Sequence, residues 1–253
     1  MVAGAGASLS FHHLDEERVV GLPRWEYISV EMWFRVFLGE LLPDLDRILY
    51  VDADTIVMDS LAPLAELELG DAYVAAVRNL FMPEHADRPA RLGIPPGQVY
   101  FNSGVLLLNL DAIRRDDCQR DLLELARSGD KRLVFPDQDA LNLVLGPRMR
   151  ELHPRWNAMN SVLVFPWAQE TFSGEAIEVA RVNPAIRHYE GPGMSKPWHF
   201  LYGFPHREAY FEHRRATPWP RVRLEGITPR NAITLVERKL RRAGPWPPPG
   251  VRS

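Results

Sequence analysis

Residues 47–57 read RILYVDADTIV, a run of apolar side chains that ends on two carboxylates one residue apart, Asp52 and Asp54. The run predicts a buried strand over 47–51, and the apolar TIV behind the pair places the carboxylates at a strand end rather than on an open surface. In extended backbone, residues i and i+2 project to the same side, so these two charges repel unless a cation lies between them. The segment Asp52, Ala53 and Asp54 therefore offers two oxygen ligands to one hard divalent ion. A loop-capping pair of aspartates is the plainer alternative for the tripeptide alone.

Upstream, SVEMWFRVFLGELL (29–42) sets Val30, Phe34, Phe37, Leu38 and Leu41 at helical spacing, with Ser29 as N-cap and Pro43 as the stop. Downstream, AYVAAV (72–77) and YFNSGVLLLNL (100–110) read as strands, the second buried on both faces. DDCQRDLLELARSG (116–129), closed by Gly129, and DQDALNLVLG (137–146), closed by Gly146, read as helices. Strands alternating with helices predict an α/β layered domain with a largely parallel sheet, where ligands sit beyond the carboxyl ends of strands. From about residue 151 the pattern loosens into Pro- and aromatic-rich loops, which puts a boundary between a domain over 1–205 and a tail over 206–253.

The 253 residues are 46% hydrophobic and 25% charged, values of a folded globular protein that exclude collagen-like and disulfide-scaffold classes. The lone Cys118 suits a reducing compartment, and with no long apolar run or charged-then-apolar leader the expected location is cytoplasmic. The net charge is −3, yet residues 206–253 carry 11 Arg and Lys against 4 Glu, which is +7 and leaves −10 on the rest. An acidic body argues against a nucleic-acid partner, whereas the basic tail suits peripheral contact with the inner face of an anionic membrane. In that tail Thr228 and Pro229 open a helix and Gly244-Pro245 closes it, with Ile233, Val236 and Leu240 on one face. Arg238, Lys239, Arg241 and Arg242 crowd its last turns, and Trp219 and Trp246 flank it.

A strand followed by Asp-x-Asp also opens phosphohydrolases with an aspartyl nucleophile, but Ile56 stands where those carry Thr or Val. No Gly-Lys phosphate loop is present, and GAGAS (4–8) has no strand before it to make a dinucleotide site. In order along the chain come LLPDLDRILYVDADTIVMDSLAPL, YFNSGVLLLNLD, FPDQDALNLVL, LHPRWNAMN and IRHYEGPGMSKPWH. This ordered set, over about residues 8–200, resembles the family 8 glycosyltransferases, which have the GT-A fold and transfer sugars from nucleotide donors with retention of anomeric configuration.

The resemblance implies that Asp52, Asp54 and His188 hold Mn²⁺, or Mg²⁺, together with the donor diphosphate. Two carboxylates and a neutral imidazole make a mixed oxygen and nitrogen set that suits Mn²⁺ better than Ca²⁺. It also implies that Asp137 meets donor-sugar hydroxyls, Gln138 faces the sugar opposite the leaving group, and Asp139 has a supporting or nucleophilic role. Asp137 after Pro136 is equally an ordinary helix cap. Asn102 and Ser103 match the family's sugar-contacting pair. Ile28, Ser29 and Arg35 match a motif that places Arg35, otherwise a solvated flank residue, on the donor. Lys196 matches a lysine that grips the diphosphate, and Gly191 or Gly193 makes the close backbone approach. Trp156 and Trp198 are candidates for stacking on sugar rings, with burial as the alternative.

Two features depart from the family. The resemblance starts at ASLSFHHLDEE, read as its third strand, so the strands that hold the base and ribose are absent from this sequence, which predicts exposed apolar edges and self-association. His188 and Lys196 are eight residues apart, two more than in the family's compact form, and Tyr27 stands where related enzymes carry His near the acceptor. Two functions follow. The first is a retaining hexosyltransferase that uses UDP-glucose or UDP-galactose and a glycan or glycolipid acceptor; the alternative is a non-catalytic remnant that binds a sugar or a partner.

Overall fold

A computed structural model describes residues 6–23, 30–221 and 223–240. Tyr27, Ile28, Ser29, Arg241, Arg242, Gly244, Pro245 and Trp246, to which the sequence assigns roles, lie outside the described residues. Seven strands are formed there: β1 (Arg47–Val51), β2 (Thr55–Val57), β3 (Val74–Arg78), β4 (Phe101–Asn109), β5 (Met149–Glu151), β6 (Ala158–Met159) and β7 (Ile186–His188). They make a four-stranded sheet in the order β1-β4-β3-β5 and a three-stranded sheet in the order β2-β7-β6.

The long apolar run of β4 takes the centre of the larger sheet, with Phe101 to Leu108 buried throughout. Its period of two splits the core: Leu106 and Leu108 join Val74 and Ala76 under Trp33, Phe37 and Leu122 on one face, while Leu107 joins Ala75, Val77, Met159 and Ile177 on the other. The helices Cys118–Arg127 and Pro136–Val144 form as expected, the first leading to Gly129 at φ 68°.

The expected largely parallel sheet is corrected to a mixed one. β4 runs antiparallel to both β1 and β3, and β2 antiparallel to β7; only β3 with β5 and β6 with β7 are parallel. A continuous apolar run reports that both faces of a strand are covered, and it carries no information about the direction of the neighbours. The third strand read in ASLSFHHLDEE is also corrected. Residues 7–15 form no ladder, Leu9 and Phe11 are 64% and 89% exposed, and only Leu14 reaches the core.

The helix expected over 29–42 is a 3-10 helix at Val30–Phe37, followed by one α-turn at Leu38–Leu41. Three residues per turn bring Trp33 and Val36 onto one edge and bury both, and the same tightening turns Arg35 inward from the flank that a 3.6-residue period gives it. The C-terminal residues return to the body: Glu225 exchanges backbone hydrogen bonds with Trp198 and Phe200, and Arg238 donates to the Leu201 carbonyl. Thr228 Oγ1 accepts from Asn231 N–H at the start of the helix Pro229–Leu240, whose Ile233, Val236 and Leu240 are exposed. Among the described residues no helix is long and apolar enough to cross a membrane.

Candidate active site

The three residues 52–54 carry the chain out of β1, in the larger sheet, and into β2, in the smaller one. Asp52 N–H still donates to the Gly104 carbonyl of β4 (2.8 Å), and Thr55 Oγ1 closes the turn on the Asp52 carbonyl (2.8 Å). β2 then pairs with β7 in a register that sets Thr55 opposite His188. Asp52, Asp54 and His188 thereby meet with one ligand atom each, all within 4.8 Å of one another. His188 Nε2 lies 3.2 Å from Asp54 Oδ1 and 4.0 Å from Asp52 Oδ2.

Each carboxylate has a cationic neighbour. Asp52 Oδ1 accepts from Arg35 (3.0 Å) and from the Tyr50 hydroxyl (2.7 Å), which leaves Oδ2 for a further partner. Asp54 Oδ2 accepts from Lys196, whose ammonium also donates to the Tyr189 carbonyl. Burial opposes ionisation of Asp54, but the His188 and Lys196 contacts outweigh it and hold this carboxyl well below the usual carboxylate range. Buried Arg35 spans the site, donating to the Ser103 carbonyl and lying 3.7 Å from Asp137.

Asp137 and Gln138 sit in the first turn of the helix Pro136–Val144, aimed at the bulged start of β4. Gln138 Oε1 accepts from Ser103 N–H (3.0 Å), Asn102 Nδ2 (3.2 Å) and Ser103 Oγ (3.3 Å). Ala53 lies between the two ligand aspartates in the same turn. Gly191 and Gly193 have φ of +87° and +55°, so the loop after β7 needs glycine at both, and Asn160 fastens that loop through the Glu190 and Ser195 carbonyls.

A family model for glycosyl transferase family 8 matches residues 8–201, the span that holds every one of these side chains. The chain belongs to glycosyltransferase family 8. It is 28% identical to general stress protein A of Bacillus subtilis (strain 168), over 85% of this chain and 75% of that protein. It is equally 28% identical to a lipopolysaccharide 1,2-glucosyltransferase of Escherichia coli (strain K12), over 92% of this chain and 67% of that one. The crystal structure of the galactosyltransferase LgtC with donor and acceptor sugar analogues superposes with a TM-score of 0.74 at 30% identity, over 85% of this chain and 77% of LgtC. This glycosyltransferase therefore has the GT-A-type α/β fold of LgtC, in its mixed-sheet form.

The donor set of this family 8 enzyme fits a divalent ion. His188 Nδ1 lies 2.9 Å from Asn157 Oδ1, so Nδ1 donates there and Nε2 is the ring nitrogen that faces the two carboxylates. With Nδ1 holding its proton, Nε2 is the nitrogen left to turn a lone pair to a cation held between the carboxylates. Gly104, which sequence reasoning passed over, makes room for the cluster: a Cβ there would lie 2.3 Å from His188 Cε1 and 2.9 Å from Asp52 Oδ2. A glycine within a strand-like run, in NSGV, was the available sign of such an approach. Gly104→Ala is expected to weaken Mn²⁺ binding at least about 10-fold, as for other disturbed ligand supports, in a folded protein. Manganese titration followed by electron paramagnetic resonance measures this, and native affinity in the variant would refute the packing argument.

The remaining expectations separate. Asp139 has no exposed surface, and its oxygens accept from Arg88, the Tyr100 hydroxyl (2.6 Å) and Phe135 N–H (2.7 Å). That geometry fits the supporting role and leaves no oxygen for attack on a sugar. Trp156 packs on the second core face and Trp198 against Tyr210, so both rings have structural contacts. Neither Arg88 nor Tyr100 carried a sequence signal, because a buried ion pair looks like any two charged residues until its burial is known.

Burial pushes the Asp137 carboxyl up to about 6, against the pull of Arg35. The native state thus holds this proton more tightly than the unfolded chain does, and the group removes stability as pH rises from the ordinary carboxylate range through about 6. A displacement of roughly two pH units corresponds to about 3 kcal/mol. Asp137→Asn is expected to raise stability by about that amount at pH 7 and to lose the gain below about pH 4. Urea denaturation at both pH values tests it, and a gain independent of pH would contradict the assignment.

Proposed function

We propose that this glycosyltransferase moves a hexose from UDP-glucose or UDP-galactose to a glycan or glycolipid acceptor, with retention of anomeric configuration and with Mn²⁺, or Mg²⁺, at Asp52, Asp54 and His188. The observation that carries the reading is the meeting of these three ligands beside the Lys196 ammonium. When bound, the ion supplies Lewis-acid stabilisation of charge on the departing diphosphate. Lys196 adds a cation to the same face, within reach of Asp54 and the Gly191 loop. Arg35, Asn102, Ser103 and Asp137 surround the space for donor-sugar hydroxyls, and Gln138 presents its amide there from the helix start.

A cavity of about 530 Å³ opens beside Gln138, with Phe81, Met82, Met194 and Phe204 in its walls, and offers room for the acceptor. The relatives named for lipopolysaccharide glucosyl and galactosyl transfer support a glycolipid acceptor. Calorimetric titration with UDP, with and without Mn²⁺, tests the donor and the ion; the reading fails if saturable, metal-dependent UDP binding is absent. Proton NMR of the first-formed product decides between retention and inversion.

Peripheral membrane contact through the tail has its own support. Ile227, Ile233, Val236 and Leu240 are exposed in a segment that carries Arg230 and Arg238. Each basic residue near an anionic surface contributes roughly 1 kcal/mol, screened by salt. Sedimentation with anionic liposomes is expected to capture the full chain at low salt and to release it at high salt, with little capture of a chain ending at residue 217. Equal recovery of both in the supernatant removes membrane contact.

A further inference from the structure

The segment LHPRWNAMN supplies none of the three residues of the metal corner, yet its Asn157 is completely buried against that corner. Its amide lies in a chain of hydrogen bonds whose direction follows from two backbone donors. Gly104 N–H donates to Asn102 Oδ1 (3.0 Å), which fixes that atom as the oxygen. Asn157 Nδ2 donates to the same oxygen (2.8 Å), so Asn157 must turn its own oxygen to His188 Nδ1 (2.9 Å). An amide oxygen only accepts, and Nδ1 must therefore carry the imidazole proton. Ser103 N–H fixes Gln138 Oε1 in the same way, and Asn102 Nδ2 donates to that oxygen (3.2 Å). The far end is anchored as well: Gln138 Nε2 donates to the Tyr100 hydroxyl (3.2 Å), and Tyr100 donates to Asp139, held by Arg88.

We propose that Asn157 is a positioning residue that locks His188 in the tautomer presenting Nε2 to a divalent cation, and that Asn102 joins this lock to the Gln138 amide, so that the metal corner and the sugar-facing amide form one hydrogen-bonded unit. The proposal rests on the metal reading above for its consequence, but the proton held on Nδ1 is a property of the metal-free protein. In the alternative tautomer Nδ1 and Asn157 Oδ1 would set two lone pairs against each other at 2.9 Å with no water to relieve them, since Asn157 is 0% exposed and His188 3%. Rotating the Asn157 amide to relieve that contact would face its NH₂ group to the imidazole, and its oxygen to Asn102 Oδ1. The Gly104 N–H bond keeps that oxygen in place, and so closes the escape.

Spectra of the metal-free protein and two variants of Asn157 test this. Long-range ¹⁵N correlation spectra of the metal-free protein, with the His188 signals identified by their loss in His188→Gln, are expected to show a protonated Nδ1. Asn157→Leu removes the acceptor and is expected to raise the Mn²⁺ dissociation constant about 10- to 100-fold, as loss of such a partner does elsewhere, and to weaken the nitrogen coupling in the manganese spin-echo spectrum. Asn157→Asp keeps an acceptor for Nδ1 but sets an oxygen against Asn102. It is expected to hold Mn²⁺ affinity within about threefold while slowing sugar transfer by about 10-fold or more, the mark of a link to Gln138. A bare Nδ1 in the native protein overturns the proposal. So does native Mn²⁺ affinity in folded Asn157→Leu, or Mn²⁺ affinity in Asn157→Asp as poor as in the leucine variant. Should the leucine variant fail to fold, the spectra and the aspartate variant decide. A native protein that binds no Mn²⁺ would remove the metal reading alone, and the tautomer would still be settled by the spectra.

Discussion

Asp54→Ala is expected to abolish Mn²⁺-dependent donor binding, with at least a 100-fold rise in the dissociation constant, on the order of 3 kcal/mol. The carboxylate belongs to the trio that could hold the ion and is also the partner of His188 and Lys196. Its ionised form is favoured by the native state, so at neutral pH it adds stability, present above the unfolded carboxylate range and lost only as pH falls through its depressed native value. The variant should therefore unfold a few degrees lower as well, because Lys196, mostly buried, loses its counter-charge. Calorimetric titration and thermal melting together read both effects. A folded variant with native metal and UDP affinities would dismiss the site.

The second large effect lies behind the site. Arg88 and Asp139 form an ion pair with 3% and 0% of their side chains exposed, completed by Tyr100 and the Phe135 and Arg132 backbone. Removing one partner from such a pair costs about 3–5 kcal/mol, because the other charge remains buried without compensation. Arg88→Leu is expected to lower unfolding free energy by that amount, and the double variant Arg88→Leu, Asp139→Leu to recover a good part of it. Urea denaturation measures both. A loss under about 1 kcal/mol for the single variant would show that Asp139 finds another partner or takes up a proton at little cost.

The parts of this molecule that could be read in the sequence share one property: their chemistry is local. Asp52 and Asp54 follow an apolar run that marks them as a pair at a strand end; the turn over 52–54, in place of the extended backbone expected there, and the meeting with His188 are seen in the structure. The strand over Phe101–Asn109 and the two helices after it are also local patterns. What could not be read depends on geometry between distant segments. Helical periodicity alone puts Arg35 on a solvated flank, and only the family resemblance moves it to the donor; a 3-10 helix buries it. The direction of the strands beside β4 left no mark on an apolar run covered on both faces. Leu9 and Phe11 alternate as a strand would, yet no neighbouring ladder receives them. Asn157 and Gly104 carry no charge and no periodicity, and their importance appears only with His188 beside them.

The passage of the chain from one sheet to the other within residues 52–54 has a consequence for folding. Neither sheet alone contains the three ligands: Asp52 leaves the larger one, while His188 comes from the last strand of the smaller one. The cluster therefore requires closure of a loop of more than a hundred residues, and it vanishes if either sheet opens. An ion that binds only the assembled trio adds stability of RT ln(1 + [L]/Kd) to both sheets at once. The shared core of Leu107, Ala75, Val77 and Met159 already joins the two sheets, so amide exchange in both should slow together as Mn²⁺ is added, the bound ion acting as a second fastener between them.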